Sequence, residues 1–343
     1  SLALSAGEAA LGALAYIAAW QLCMDGPGWG RRARGLAPWL LLGLLYAAVY
    51  SGLGFGASNS GLYIDPGSEP LRFLAAAAER WPLLMAAQWL QAPIDLWLFM
   101  PRAAQLGMAS ISAVGVLGVA VLLAPLLRES ALARFFGLGM VLSLVPPCGA
   151  FPLDRLIVFS GLGAFGLLAQ LVARARPQWF GLSGPPTAPG RVASWLALGL
   201  LLLHGPLALL MVPARVAGLS KLGEVFAMGA DQAPMDPALR DQTLIFVTGS
   251  ELPVAYTLVI RGAEQRGPVP RRMAQLASMV SDNRVTRLGQ RSLQIEPEDG
   301  FLGPAMDRLT RHPDKSFRVG ERIQRPDFEA RVDAVTADGR PAL

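Results

Sequence analysis

The residues able to do chemistry are few, and they sit at the ends of apolar runs. Gly52 to Pro70 is dense in Gly and Ser and carries Tyr63, Asp65 and Glu69. Carboxylates on such a loop can meet a polar donor or a cation, and glycines let backbone approach a ligand closely. The same composition also suits a flexible loop with an Asp-Pro turn at Asp65 and Pro66. Glu8, shortly after Ser5, opens the first apolar run. A carboxylate there either caps a helix N-terminus or faces a polar cavity. Asp154 and Arg155 follow Pro146, Pro147 and Pro152 in a short link. The fork of Arg155 suits a lipid or sugar phosphate, and the pair suits an interfacial anchor. The candidate substrate-binding residues are therefore Glu8, Tyr63, Asp65 and Arg155; no residue is assigned a catalytic role.

Two further polar residues interrupt apolar runs. Asp95 lies with Pro93 inside the run Leu83–Met100. If that run is buried among helices, Asp95 is a site; if it is interfacial, Asp95 points to water. His204, beside Gly205 and Pro206, reads as a neutral helix-contact residue.

Several chemistries are disfavoured. With two histidines, His204 and His312, a His-rich metal site is almost excluded. Asp299, Asp307, Asp314 and Asp327 are spread too far for a calcium loop. Cys23 and Cys148 form no disulfide framework. Gly52, Gly54 and Gly56 have the wrong spacing for a nucleotide fingerprint. No cofactor is evident, and a divalent metal stays open. The net charge of +5 comes from arginines scattered through loops and strands, not from a nucleic-acid face.

Long apolar segments position these residues. The 343-residue chain is 53% hydrophobic and 16% charged, and charges crowd after Pro213. The segments run Leu2–Met24, Leu36–Phe55, Leu83–Met100, Gln105–Leu127, Leu132–Ala150, Leu153–Ala173 and Val192–Val212. Gln105–Leu127 has no charged side chain and reaches about 30 Å as a helix, the thickness of a bilayer's hydrocarbon core. This predicts a polytopic α-helical membrane protein of six or seven spans, followed by a small β-rich or mixed α/β extramembrane domain. The divisions expected are 1–212 in lipid, 213–239 as connector and 240–343 outside the cytoplasm. Leu83–Met100 is the ambiguous segment. If it does not cross, eight loop arginines face four across the membrane, Arg72, Arg80, Arg102 and Arg155, and the richer side is cytoplasmic. If it crosses, the tally is seven to five. Either way the C-terminal domain falls outside. The tryptophans cluster near segment ends, as in an interfacial belt, and Gly181–Gly190 reads as a Pro/Gly linker.

After Pro213 the pattern predicts a strand at Thr243–Val247 and a strand or helix at Val254–Arg261. A hairpin is expected from Arg284–Leu288 and Ser292–Glu296, and an amphipathic helix over Phe301–Arg311. Asp338–Gly339 is a preferred hairpin turn, but Arg340–Leu343 is short for a partner strand. The domain reads as cut short there, and Ser1 already lies inside an apolar run, as in the later part of a longer protein.

Ser5-Ala6-Gly7-Glu8, the apolar run to Trp20 and then Asp25 resemble part of the GT-C class of membrane glycosyltransferases. In the protein O-mannosyltransferase-like members a Ser-Lys-Glu element opens a span; here Gly7 stands in place of the Lys. The resemblance covers about 25 residues and implies transfer of a sugar from a polyprenyl-phosphate donor on the outer face. The catalytic acid of the class lies in a first outer loop, upstream of Ser1, and Glu8 alone matches a motif position. The alternative is a non-enzymatic envelope anchor in the bacterial inner membrane, presenting its outer domain to a protein or a glycan.

Overall fold

The computed structural model describes residues 10–25, 28–57, 60–180, 191–231, 233–249, 258–264, 266–278, 282–303, 306–309, 311–312 and 314–343. They divide into two units, Ser1–Ser58 with Tyr63–Leu209, and Asn59–Leu62 with Leu210–Leu343. Glu8 and Gly181–Gly190 lie outside the described residues.

The first unit is helical. Its helices are α1 (Leu11–Cys23), α2 (Trp29–Gly52), α3 (Pro70–Leu90), α4 (Arg102–Glu129), α5 (Ala131–Ser143), α6 (Val158–Ala175) and α7 (Arg191–Leu202); α8 (Ala208–Asp231) continues past its boundary. Among the described residues, five helical stretches are long and apolar enough to cross a membrane: Trp29–Gly52, Arg102–Glu129, Ala131–Gly149, Asp154–Ala175 and Ser194–Gly218. The expected count of six or seven is met only in part. α1 has 13 residues, although the apolar run that contains it begins at Leu2.

Local chemistry sets the helix ends. Ser130 separates α4 from α5, and its hydroxyl accepts from the Ala133 N–H at 3.1 Å, filling one of the donors a helix start leaves open. Arg134 closes the other side of that turn by donating to the Leu127 and Arg128 carbonyls, both at 3.2 Å. Glu129 pairs with Arg174 at 2.6 Å, tying this turn to the end of α6.

Glycines let α1, α5 and α6 pack closely. A Cβ on Gly139 would stand 2.4 Å from the Tyr16 ring, one on Gly12 2.6 Å from the Phe159 ring, and one on Gly163 2.4 Å from the Phe136 carbonyl. Where lipid tails are as apolar as leucine, such close backbone approach is a main source of helix association.

Leu83–Met100 is not one helix. α3 ends at Leu90, Gln91 takes a left-handed conformation with φ of 55°, and a 3-10 turn covers Ile94–Phe99. Pro93 explains the break, since it lacks an N–H and disfavours helical backbone at Ala92. Trp89 and Trp97 also depart from the expected belt, because both are buried.

The second unit is mixed α/β. β1 (Thr243–Gly249) and β2 (Arg272–Ser278) are parallel, with Thr243 opposite Arg272. Residues 258–263 between them are helical, as a parallel connection requires a crossover. Asp327 joins the two strand starts, accepting from the Thr243 hydroxyl at 2.7 Å and from Arg272 at 3.0 Å. These two donors hold its carboxyl below the usual carboxylate range. β3 (Asn283–Arg287) and β4 (Leu293–Pro297) form the expected hairpin, and β5 (Arg322–Gln324) pairs antiparallel with β6 (Glu329–Arg331).

Two expectations for this unit are corrected. Among the described residues of Phe301–Arg311 the helical part is a short 3-10 turn, Met306–Arg308, and Gly300 and Leu302 both take positive φ, at 71° and 58°, which breaks a helix at its start. The last four residues do find a partner. Gly339 turns the chain with φ of 78°, and the Ala342 N–H reaches the Ala334 carbonyl at 2.8 Å. Ser60–Leu62 also belongs to this unit, where the Gly61 N–H donates to the Arg308 carbonyl at 2.8 Å.

Candidate functional site at the loop end of the helical unit

The link from α5 to α6 is rich in proline and cannot satisfy itself. Pro146, Pro147 and Pro152 carry no N–H, and two short 3-10 turns replace regular helix at Pro146–Gly149 and Asp154–Ile157. Its polar groups are met from three other segments. Arg80 of α3 donates through one nitrogen to the Cys148 carbonyl at 3.0 Å and the Ala150 carbonyl at 3.1 Å. The Ile64 N–H donates to the Gly149 carbonyl at 2.8 Å. The Asp95 carboxylate accepts from the Asp154 N–H at 3.0 Å. Tyr63 packs its ring against Phe151, with centroids 5.6 Å apart.

Arg80 is 6% exposed. The sequence places it in a loop, and the structure places it inside α3. A buried guanidinium is stable only when its donors are used, and hydrogen bonds from a charged group contribute about 1.5–3 kcal/mol each. The detectable signal was Glu79-Arg80 interrupting the helical run Ala75–Trp89. Glu79 makes a two-pronged ion pair with Arg102, with both contacts at 2.7 Å.

These bonds fix the course of the third segment. Ile64, before α3, reaches Gly149, while Asp95, after it, reaches Asp154. Gly149 and Asp154 are five residues apart, at most about 18 Å of extended chain. That is well short of the roughly 30 Å of a hydrocarbon core. The chain that leads into α3 and the chain that follows it thus meet at one link. Between Arg80 and Gln88 it advances about 12 Å, at 1.5 Å per residue. There the Gln88 side chain meets the Ser160 hydroxyl at 3.1 Å and its carbonyl meets His204 at 2.8 Å.

Asp65 forms a second focus. Its carboxylate accepts from the Gly67 N–H at 2.8 Å, the Asx turn expected of Asp-Pro. Gly56, with φ of 127°, lies between Tyr50 and Asp65. A Cβ there would stand 3.6 Å from the Tyr50 ring and 3.8 Å from the Asp65 carboxylate. Tyr46, Tyr50 and Phe55 follow one another with ring centroids 5.6 and 5.7 Å apart. Phe55 is exposed. The result is a ladder of aromatic faces leading to a carboxylate at the exit of α2. The sequence singled out Asp65 but not the ladder, although Tyr46 and Tyr50 stand at helical i, i+4 spacing.

The structure therefore gathers Tyr63, Asp95 and Asp154 around one link and sets Asp65 against Gly56 and Tyr50. Arg155 is exposed. Among the described residues no three His, Cys, Asp or Glu side chains gather as a metal site. The fold and its spans define a polytopic helical membrane protein with a small strand-containing C-terminal region. No family model, curated protein or solved structure matches the chain.

Proposed function

We propose that this protein binds a polyprenyl-phosphate-linked sugar at the exit of α2, as a GT-C-like glycosyltransferase or a relative of one. In this reading it resides in the bacterial inner membrane with its C-terminal domain outside the cytoplasm. The observation that carries the reading is the ladder Tyr46, Tyr50 and Phe55 ending beside Asp65. Aromatic faces take the apolar side of a sugar ring, and an ionised carboxylate accepts from its hydroxyls. The lipid tail would lie along α2, which has no buried residue. The exposed guanidinium of Arg155 is the candidate for the phosphate.

A second reading is an anchor whose outer domain binds a protein or a glycan. It is favoured by the carboxylates already at work in the loops, Asp65 on Gly67 and Asp95 on Asp154. Binding of a polyprenyl-phosphate hexose to the purified protein in nanodiscs separates the two. The transferase reading expects saturable binding, weakened about tenfold or more by Asp65→Asn or Tyr50→Ala, the loss of one charge-assisted hydrogen bond or of one stacked ring. No saturable binding by the wild type, or unchanged binding by both variants, favours the anchor.

A further inference from the structure

His204 sits at the one place in the last span where helical pairing changes. Leu203–Leu207 forms a π turn containing Pro206, which has no N–H to give. Nδ1 of His204 lies 2.9 Å from the Leu200 carbonyl, one turn back, and Nε2 lies 2.8 Å from the Gln88 carbonyl of α3. Both partners are acceptors. A neutral imidazole has one N–H and one lone pair, so it can donate to only one of them; an imidazolium donates to both. We propose that His204 is a proton-binding site within the membrane-spanning unit, and that the bound proton clasps the α7–α8 turn to α3.

Among the described residues no ion pair involves His204. Trp89 of α3 and Phe165 of α6 meet the ring edge-on, with centroids at 6.4 and 5.8 Å. The charged residues next along the chain from these contacts are Asp95, which accepts from the Asp154 N–H, and Arg80, Arg174, Arg191 and Arg215. Asp95 is six positions from Trp89, and each of the arginines lies eight or more positions from the residue that touches His204 or from His204 itself. The proton comes from the aqueous phase and returns to it. When it leaves, one short nitrogen-to-carbonyl contact becomes lone pair against lone pair, and the ring must let go of either Leu200 or Gln88.

The test uses the full chain in nanodiscs with ¹⁵N-labelled histidine rings. Only His204 and His312 are present, so His312→Gln leaves a single labelled ring. The ring is expected to carry two protonated nitrogens at the acidic end of a pH series and one at the basic end. Amide protection around the π turn, corrected for the chemical pH dependence of exchange, should fall about tenfold over that change, the loss of one charge-assisted hydrogen bond. His204→Gln, which donates but cannot carry the charge, should abolish the pH dependence of protection. A ring with one protonated nitrogen at both ends of the range overturns the proposal, as does a pH dependence that survives in His204→Gln.

Discussion

The Tyr16 hydroxyl stands inside the hydrogen-bond ladder of α6. It donates to the Phe159 carbonyl and accepts from the Gly163 N–H, both at 2.7 Å. Residues 159 and 163 are the pair that a continuous α-helix would join directly, so a side chain of α1 completes a turn of α6. Glycine at 163 is required for this, because a Cβ would stand 2.6 Å from the Met140 Cβ and 2.8 Å from the Tyr16 hydroxyl.

This relationship predicts an order of effects. Tyr16→Phe should be mild, about 1 kcal/mol, because the freed carbonyl and N–H can close on each other. Gly163→Ala should cost more, about 1–3 kcal/mol, because it pushes α6 off α5. Thermal unfolding in detergent, followed by a cysteine-reactive dye on buried Cys148, measures both. The reverse order would show that the ladder cannot reclose.

Removing the Arg80 guanidinium should be severe. Arg80→Ala leaves the Cys148 and Ala150 carbonyls without their donor and opens a hole under the link, at a loss of about 3–5 kcal/mol, comparable to breaking a buried ion pair. Arg80→Lys keeps the charge but loses the fork and should fall between wild type and Ala. Protease sensitivity of the link Pro146–Arg155 should rise in the same order.

Labelling of introduced cysteines checks the course of α3. Because Ile64 and Asp95 both reach the same link, cysteines at Gly67 and Leu96 should be modified from one side of the membrane. Gly61 shares its unit with Arg308, so cysteines at Gly61 and Leu288 should report one side as well. Modification of the Gly67 and Leu96 sites from opposite sides would mean that the membrane separates them.

The C-terminal turn has an acid limit. The Arg340 guanidinium and the Thr336 hydroxyl hold the Asp338 carboxyl down at about 2. A carboxyl lowered on folding contributes stability that is full above its unfolded value, near 3.8. That contribution is lost as pH falls through the folded value. Amide protection around Thr336 and Arg340 should therefore hold at pH 5 and drop between about pH 4 and about pH 2. Asp338→Asn should remove that step.

Much of the architecture was legible from composition. The apolar runs at 105–127 and 153–173 each contain one long helix, and the hairpin around Gly289 falls where alternation places it. What could not be read was which polar groups meet. Arg80 counted as a loop charge because its partners are carbonyls about 70 residues away, which carry no side-chain signature. Without it the poorer side of the first orientation tally falls from four arginines to three. Asp95 was recognised as odd, but its role as a cap for Asp154 depends on a turn that Pro93 makes and periodicity does not show. Likewise, the sequence marks His204 as a helix-contact residue but does not show that both of its nitrogens stand against carbonyls.

The backbone on both sides of α3 is tied to the same link, through Ile64 on Gly149 and Asp95 on Asp154. The stretch from Ile64 to Asp95 is therefore a loop held at its neck, and it can swing away as one piece only if both of those bonds open together.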